Sequence, residues 1–115
     1  MKNQTNAIVE FIKRAFSTLR NIIRTIVHGI LNFVAHVVNW FISLALDKEK
    51  DIPFIADPDK IKDMLKTAPV KNVGIFEGVY NEDADEITSN RFIDADSLDE
   101  KTKEVLGNEP LVVLN

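Results

Sequence analysis

Apolar residues recur at alternating steps of three and four through the first part of the chain: Val9, Ile12, Phe16, Leu19, Ile23, Ile26, Ile30, Phe33, Val37, Trp40 and Leu44. That heptad-like spacing predicts a helix and a seam on which helices meet. No proline precedes Pro53, and Thr5 or Asn6 can cap the start. One helix over residues 6–46 would be roughly 60 Å long. Its one internal weak point is Gly29, where a hairpin is the alternative.

The two halves of this expected helix differ. Outside the seam, the first half carries Glu10, Lys13, Arg14, Ser17, Arg20, Asn21 and Arg24, a polar and mostly basic face. In the second half, Val27, Leu31, Val34, Val38, Phe41 and Ile42 extend the apolar surface almost all round. A narrow polar stripe remains, formed by Thr25, His28, Asn32, His36, Asn39 and Ser43. A helix that is apolar nearly all round must be buried, either in protein or in lipid.

Charge returns abruptly at "LDKEKDIP", which places a linker over 47–56 and a small acidic α+β unit over 57–115. In that unit Asp57, Pro58 and Pro69 punctuate a short helix with Ile61, Met64 and Leu65 on its apolar face. Alternation over 73–80 and 86–93, separated by an acidic turn at 81–85, predicts a β-hairpin. Glu77 is the charged interruption in its first strand. A second helix follows, capped by Asp96 or Ser97 and closed by Gly107, and "LVVLN" predicts a last strand. The fold class read this way is α+β: a long N-terminal helix over 1–46, followed by a helix-β-β-helix-β unit.

Composition divides the chain further. Residues 1–46 hold five basic residues against one acidic, and residues 47–115 hold nine against seventeen, for an overall charge of −4. An acidic surface is a poor match for nucleic acid, and no nucleic-acid partner is expected. The absence of cysteine removes thiolate chemistry and Cys-based metal sites. His28 and His36 stand about 12 Å apart on a helix, too far for one ion, and "NEDADE" lacks the glycine of a calcium loop. "HVVNW" sets His36 and Trp40 one turn apart, which is too little sequence to imply a proton path. No nucleophile–base set is evident. No enzyme activity, cofactor or metal is therefore expected.

Three functional expectations follow. In the first, residues 25–46 span a bilayer within a helical homo-oligomer or larger complex, with Arg20 and Arg24 at the boundary, the N-terminus cytoplasmic and the acidic unit contacting a partner. In the second, the seam joins a soluble cytoplasmic multi-helix assembly as a structural subunit. In the third, Asn32, His36 and Asn39 line a small pore of lysis type.

Overall fold

The computed structural model describes residues 2–19, 22–61 and 73–114. It contains one five-stranded sheet in the order β1-β4-β3-β2-β5, with helices on both faces. The α+β class stands, but a long N-terminal helix does not. Helix α1 covers Lys2–Ala15 and ends in a 3-10 turn at Phe16–Thr18, and strand β1 covers Arg24–Leu31. A π-helix at Phe33–Val38 then runs into α2, Asn39–Ser43. The expected single helix over 6–46 is thus interrupted by a strand between two helical segments, and Gly29 lies inside that strand rather than at a helical hairpin.

The physical reason lies in the spacing and the residue types. A step of four keeps two side chains on one face of a helix, but four is also a multiple of the strand period of two. Ile26 and Ile30 therefore share one face of β1, and Val27 and Leu31 share the other. Thr25, Ile26, Val27 and Ile30 are β-branched, which favours the extended chain. Gly29 takes φ of +105°, a conformation closed to helices and uncomfortable for any other residue type.

The expected linker at 47–56 is also replaced. Strand β2, Asp51–Ala56, pairs antiparallel with both β3 (Val73–Asn81) and β5 (Leu111–Val113). Pro53 turns its backbone toward β5, accepting the Leu114 N–H at 2.8 Å, so its missing donor removes no bond to β3. The division into an anchoring front and a separate acidic unit dissolves as well, because β1 pairs parallel with β4 (Glu86–Leu98) in the same sheet. The hairpin of β3 and β4 forms as read. Asn81 Oδ1 accepts from the Ala84 N–H, and Asp85 adopts φ of +53°, a conformation that Asp tolerates better than most residues.

Because β4 continues through Leu98, the cap of α4 (Glu100–Leu106) is Asp99, not Asp96 or Ser97. Its carboxylate accepts from Thr102 N–H and Thr102 Oγ1, and also from the Phe33 N–H at 2.9 Å. One side chain thus starts α4 and fixes the beginning of the π-helix. Burial works to raise the Asp99 pKa, but these hydrogen bonds outweigh it and hold the group below the ordinary carboxylate value. Gly107 closes α4 with φ of +55°, as its position suggested. Pro58 opens the short α3, Pro58–Ile61; Met64, Leu65 and Pro69 lie outside the described residues.

Two apolar clusters sandwich the sheet. On one face Ile12, Ala15 and Phe16 pack over Phe54, Phe76 and Phe92, with Val9 and Leu19 at the margin. Gly78 gives Phe54 its place, since a Cβ there would stand 2.4 Å from the ring. On the other face Phe33, Val37 and Phe41 pack over Ile55, Ile75 and Ile93, with Leu106 from α4 beside them and Trp40 and Leu44 at the rim. Most of the expected inter-helix seam is spent on this molecule's own sheet.

Candidate functional site

Strand β1 sits at one end of the sheet, and among the described residues no strand pairs with its outer edge. Its inner edge is well determined. The Ile23 carbonyl accepts from Phe92 N–H at 2.6 Å, and the Leu31 carbonyl accepts from Asp99 N–H at 3.0 Å. The Ile23 N–H donates to Asn90 Oδ1 at 3.2 Å and the Gly29 N–H to Asp96 Oδ2 at 2.9 Å. Odd-numbered residues therefore turn their backbone groups toward β4. By the alternation of a strand, Ile26, His28 and Ile30 turn theirs outward.

The same three residues carry the exposed side-chain row. Ile26 is 65% exposed and Ile30 63%, with His28 exposed between them. Burial alternates along the whole strand, with Val27 and Leu31 packed into the cluster on the far face. A register shift between Val27 and Ile30 marks a bulge at Gly29, and Asp96 absorbs it on the β4 side. The opposite end of the sheet is different, because β5 has only three residues. Short edge strands are a usual protection against unwanted pairing, whereas β1 has eight residues and no proline or lysine, its protections being Arg24 and the Gly29 bulge.

Next to this edge lies Asp94, opposite Ile26 on one side and Gly74 on the other. Its side chain is buried, and its Oδ1 has no hydrogen-bond partner among the described residues. Burial pushes its pKa up, and the nearby Arg24 charge opposes that. Arg24 also stacks over the Phe92 ring at 5.0 Å.

A second polar group lies inside the molecule. The Arg91 guanidinium donates to Glu77 Oε1 from Nε at 3.0 Å and from Nη2 at 2.8 Å. Nη2 also donates to the His36 carbonyl in the π-helix, and the guanidinium lies 5.0 Å from the centre of the Trp40 ring. Glu77 is wholly buried, and its Oε2 has no partner among the described residues. Burial raises its pKa and Arg91 opposes the rise, leaving it pushed up to about 7. This group ties the π-helix to the sheet, and among the described residues it opens on no convergent set of catalytic groups. The sequence offered one signal for it, the charged Glu77 at an inward strand position. Arg91 and its link to Trp40 left none.

The polar stripe expected to line a pore or face other helices does local work. Asn32 Oδ1 accepts from Ala35 N–H and Asn32 N–H donates to His36 Nδ1, both at 2.8 Å. This reciprocal arrangement caps the π-helix. Ser43 donates to the Trp40 carbonyl at 2.6 Å, while Asn39 begins α2 and is exposed. Thr25 and His28 lie apart from these, on opposite faces of β1. Of the expected membrane-boundary pair, Arg24 lies in β1 and Arg20 lies outside the described residues. No helix among the described residues is long and apolar enough to cross a membrane. Among the same residues no three His, Asp or Glu side chains gather as metal ligands. No family model, curated protein or solved structure matches this chain.

Proposed function

We propose that this chain is a non-enzymatic interaction protein that receives an extended segment on the outer edge of β1. One observation carries the reading: Ile26, His28 and Ile30 combine outward-facing backbone groups with a largely exposed apolar row. An incoming strand would gain main-chain hydrogen bonds along that edge and cover both isoleucines, the mode known as β-strand addition. The segment that fits is extended and carries apolar side chains at alternate positions. The earlier expectation of a partner-binding, oligomer-forming protein is kept in this form. The expected bilayer-spanning helix and the pore lined by Asn32, His36 and Asn39 both rest on one continuous helix, and among the described residues that stretch is divided between β1, the capped π-helix and α2.

A fluorescent peptide alternating Thr and Val tests the edge directly. It is expected to bind the chain, and the double substitution Ile26→Lys with Ile30→Lys is expected to weaken binding by roughly a hundredfold, about 1.4 kcal/mol for each tenfold step. Both side chains are exposed, so the thermal midpoint should stay within a few degrees of the parent. Equal binding by parent and variant would remove the edge from the account.

A further inference from the structure

We infer that the segment received at β1 is β1 of a second copy, paired antiparallel about a two-fold axis at His28. This inference rests on the edge reading above and adds the identity of the partner. Outward-facing backbone groups fall on even-numbered residues, so an antiparallel hydrogen-bonded pairing must set even residues against even residues. Few registers satisfy that rule while overlapping most of Arg24–Leu31. With the axis at His28, Ile26 meets Ile30 of the second copy and Ile30 meets its Ile26. Arg24 then faces Asn32 of the second copy rather than another cation, and His28 faces its own copy across the axis.

The neighbouring registers are poorer. An axis at Val27 sets Ile26 against His28 and Arg24 against Ile30, separating the isoleucines from each other. An axis at Ile26 sets Arg24 against His28 and leaves Ile30 beyond the end of the partner's strand. The side-chain row Ile26-His28-Ile30 reads the same in both directions. A two-fold interface needs that kind of self-complementary surface.

Nothing on the inner side obstructs the pairing. The Gly29 bulge is taken up by the Asp96 carboxylate, and the strand's far face is already packed into the core. The pairing would fuse two five-stranded sheets into one, leaving the three-residue β5 strands as its outer ends. Four isoleucine side chains, each about two-thirds exposed, plus two strand edges fall short of the roughly 1,000 Å² of a standard specific interface, so the dimer is a weak one.

The chain has no cysteine, so single introduced thiols report the register. In a hydrogen-bonded antiparallel pair the Cα atoms stand about 5.5 Å apart, within the range a disulfide bridges. Under mild oxidation H28C is expected to convert mainly to covalent dimer, whereas exposed K48C stays mainly monomeric. I26C alone is expected to link poorly, and an equal mixture of I26C with I30C to link well. Sedimentation of the parent should show a monomer–dimer equilibrium that Ile26→Lys with Ile30→Lys abolishes.

A monomer throughout the micromolar range, with H28C linking no faster than K48C, would overturn the second-copy assignment. Binding of the Thr–Val peptide in that case would leave the edge as the contact element with another partner. Loss of peptide binding as well would remove the edge reading too. Self-linking strongest in I26C would overturn the His28 axis.

Discussion

Replacing Arg91 with methionine should destabilise the chain by about 3–5 kcal/mol near pH 8, because the change leaves the Glu77 carboxylate buried without its cation. Arg91 donates twice to Glu77 Oε1, and Oε2 already lacks a partner among the described residues. The same variant also loses the bond to the His36 carbonyl and the stacking on Trp40, which hold the π-helix against the sheet. The cost should be smaller at pH 5, where Glu77 can fold as the neutral acid. An equal cost at both values, read from denaturant midpoints, would contradict an ionic role for the pair.

The parent chain carries a related pH dependence. The Glu77 pKa rises from 4.5 to about 7 on folding. Between those values the folded chain keeps a proton that the unfolded chain has released. This group's contribution to stability is therefore fully present below about pH 4.5 and is lost as pH rises through about 7, by roughly 3 kcal/mol in all. Glu77→Gln should flatten that decline without moving transitions that other groups cause. Unfolding free energies measured from pH 5 to pH 8 on both proteins would show it.

Phe16→Ala is the second large effect, expected at about 3–5 kcal/mol. Phe16 follows directly on α1, yet its ring is buried and meets Phe54 and Phe76 edge-on, with centroids 5.9 and 5.4 Å away. It is the main aromatic anchor between the N-terminal segment and the sheet, with Ile12 one turn earlier. Small domains are stable by only about 5–15 kcal/mol, so the variant should be close to unfolding at body temperature. Phe11 provides the comparison. It is 40% exposed under the Arg14 guanidinium, and Phe11→Ala should cost about 1 kcal/mol or less. Similar midpoints for the two variants would show that α1 does not dock through Phe16.

Sequence reading succeeded where the local signals agreed with one another. Alternation and turn residues placed the β3–β4 hairpin, Gly107 marked the end of α4, and Leu111–Val113 read as a strand. It fails over Arg24–Leu31, where apolar spacing alone points to helix and the chain is a strand. Steps of four suit helix and strand alike, and the β-branched run Thr25-Ile26-Val27 with Gly29 carried the opposing signal. The full extent of β4 is hidden in the sequence because Asp94 and Asp96 look like surface residues. One is instead buried, and the other accepts the Gly29 N–H on β1. That Ile26, His28 and Ile30 lie on an edge strand is not legible locally, because whether a strand lies at the end of a sheet is a long-range fact.

Residue-resolved amide exchange across β1 distinguishes its inner edge from its outer one. In dilute solution the N–H groups of Thr25 and Val27 should exchange slowly, and those of Ile26 and His28 should exchange fast, following the inner and outer edges of the strand. At high protein concentration the outer pair should slow as the edge is covered. Uniformly slow exchange from residue 25 through residue 46 at every concentration would contradict the account, because that is the pattern of a continuous helix.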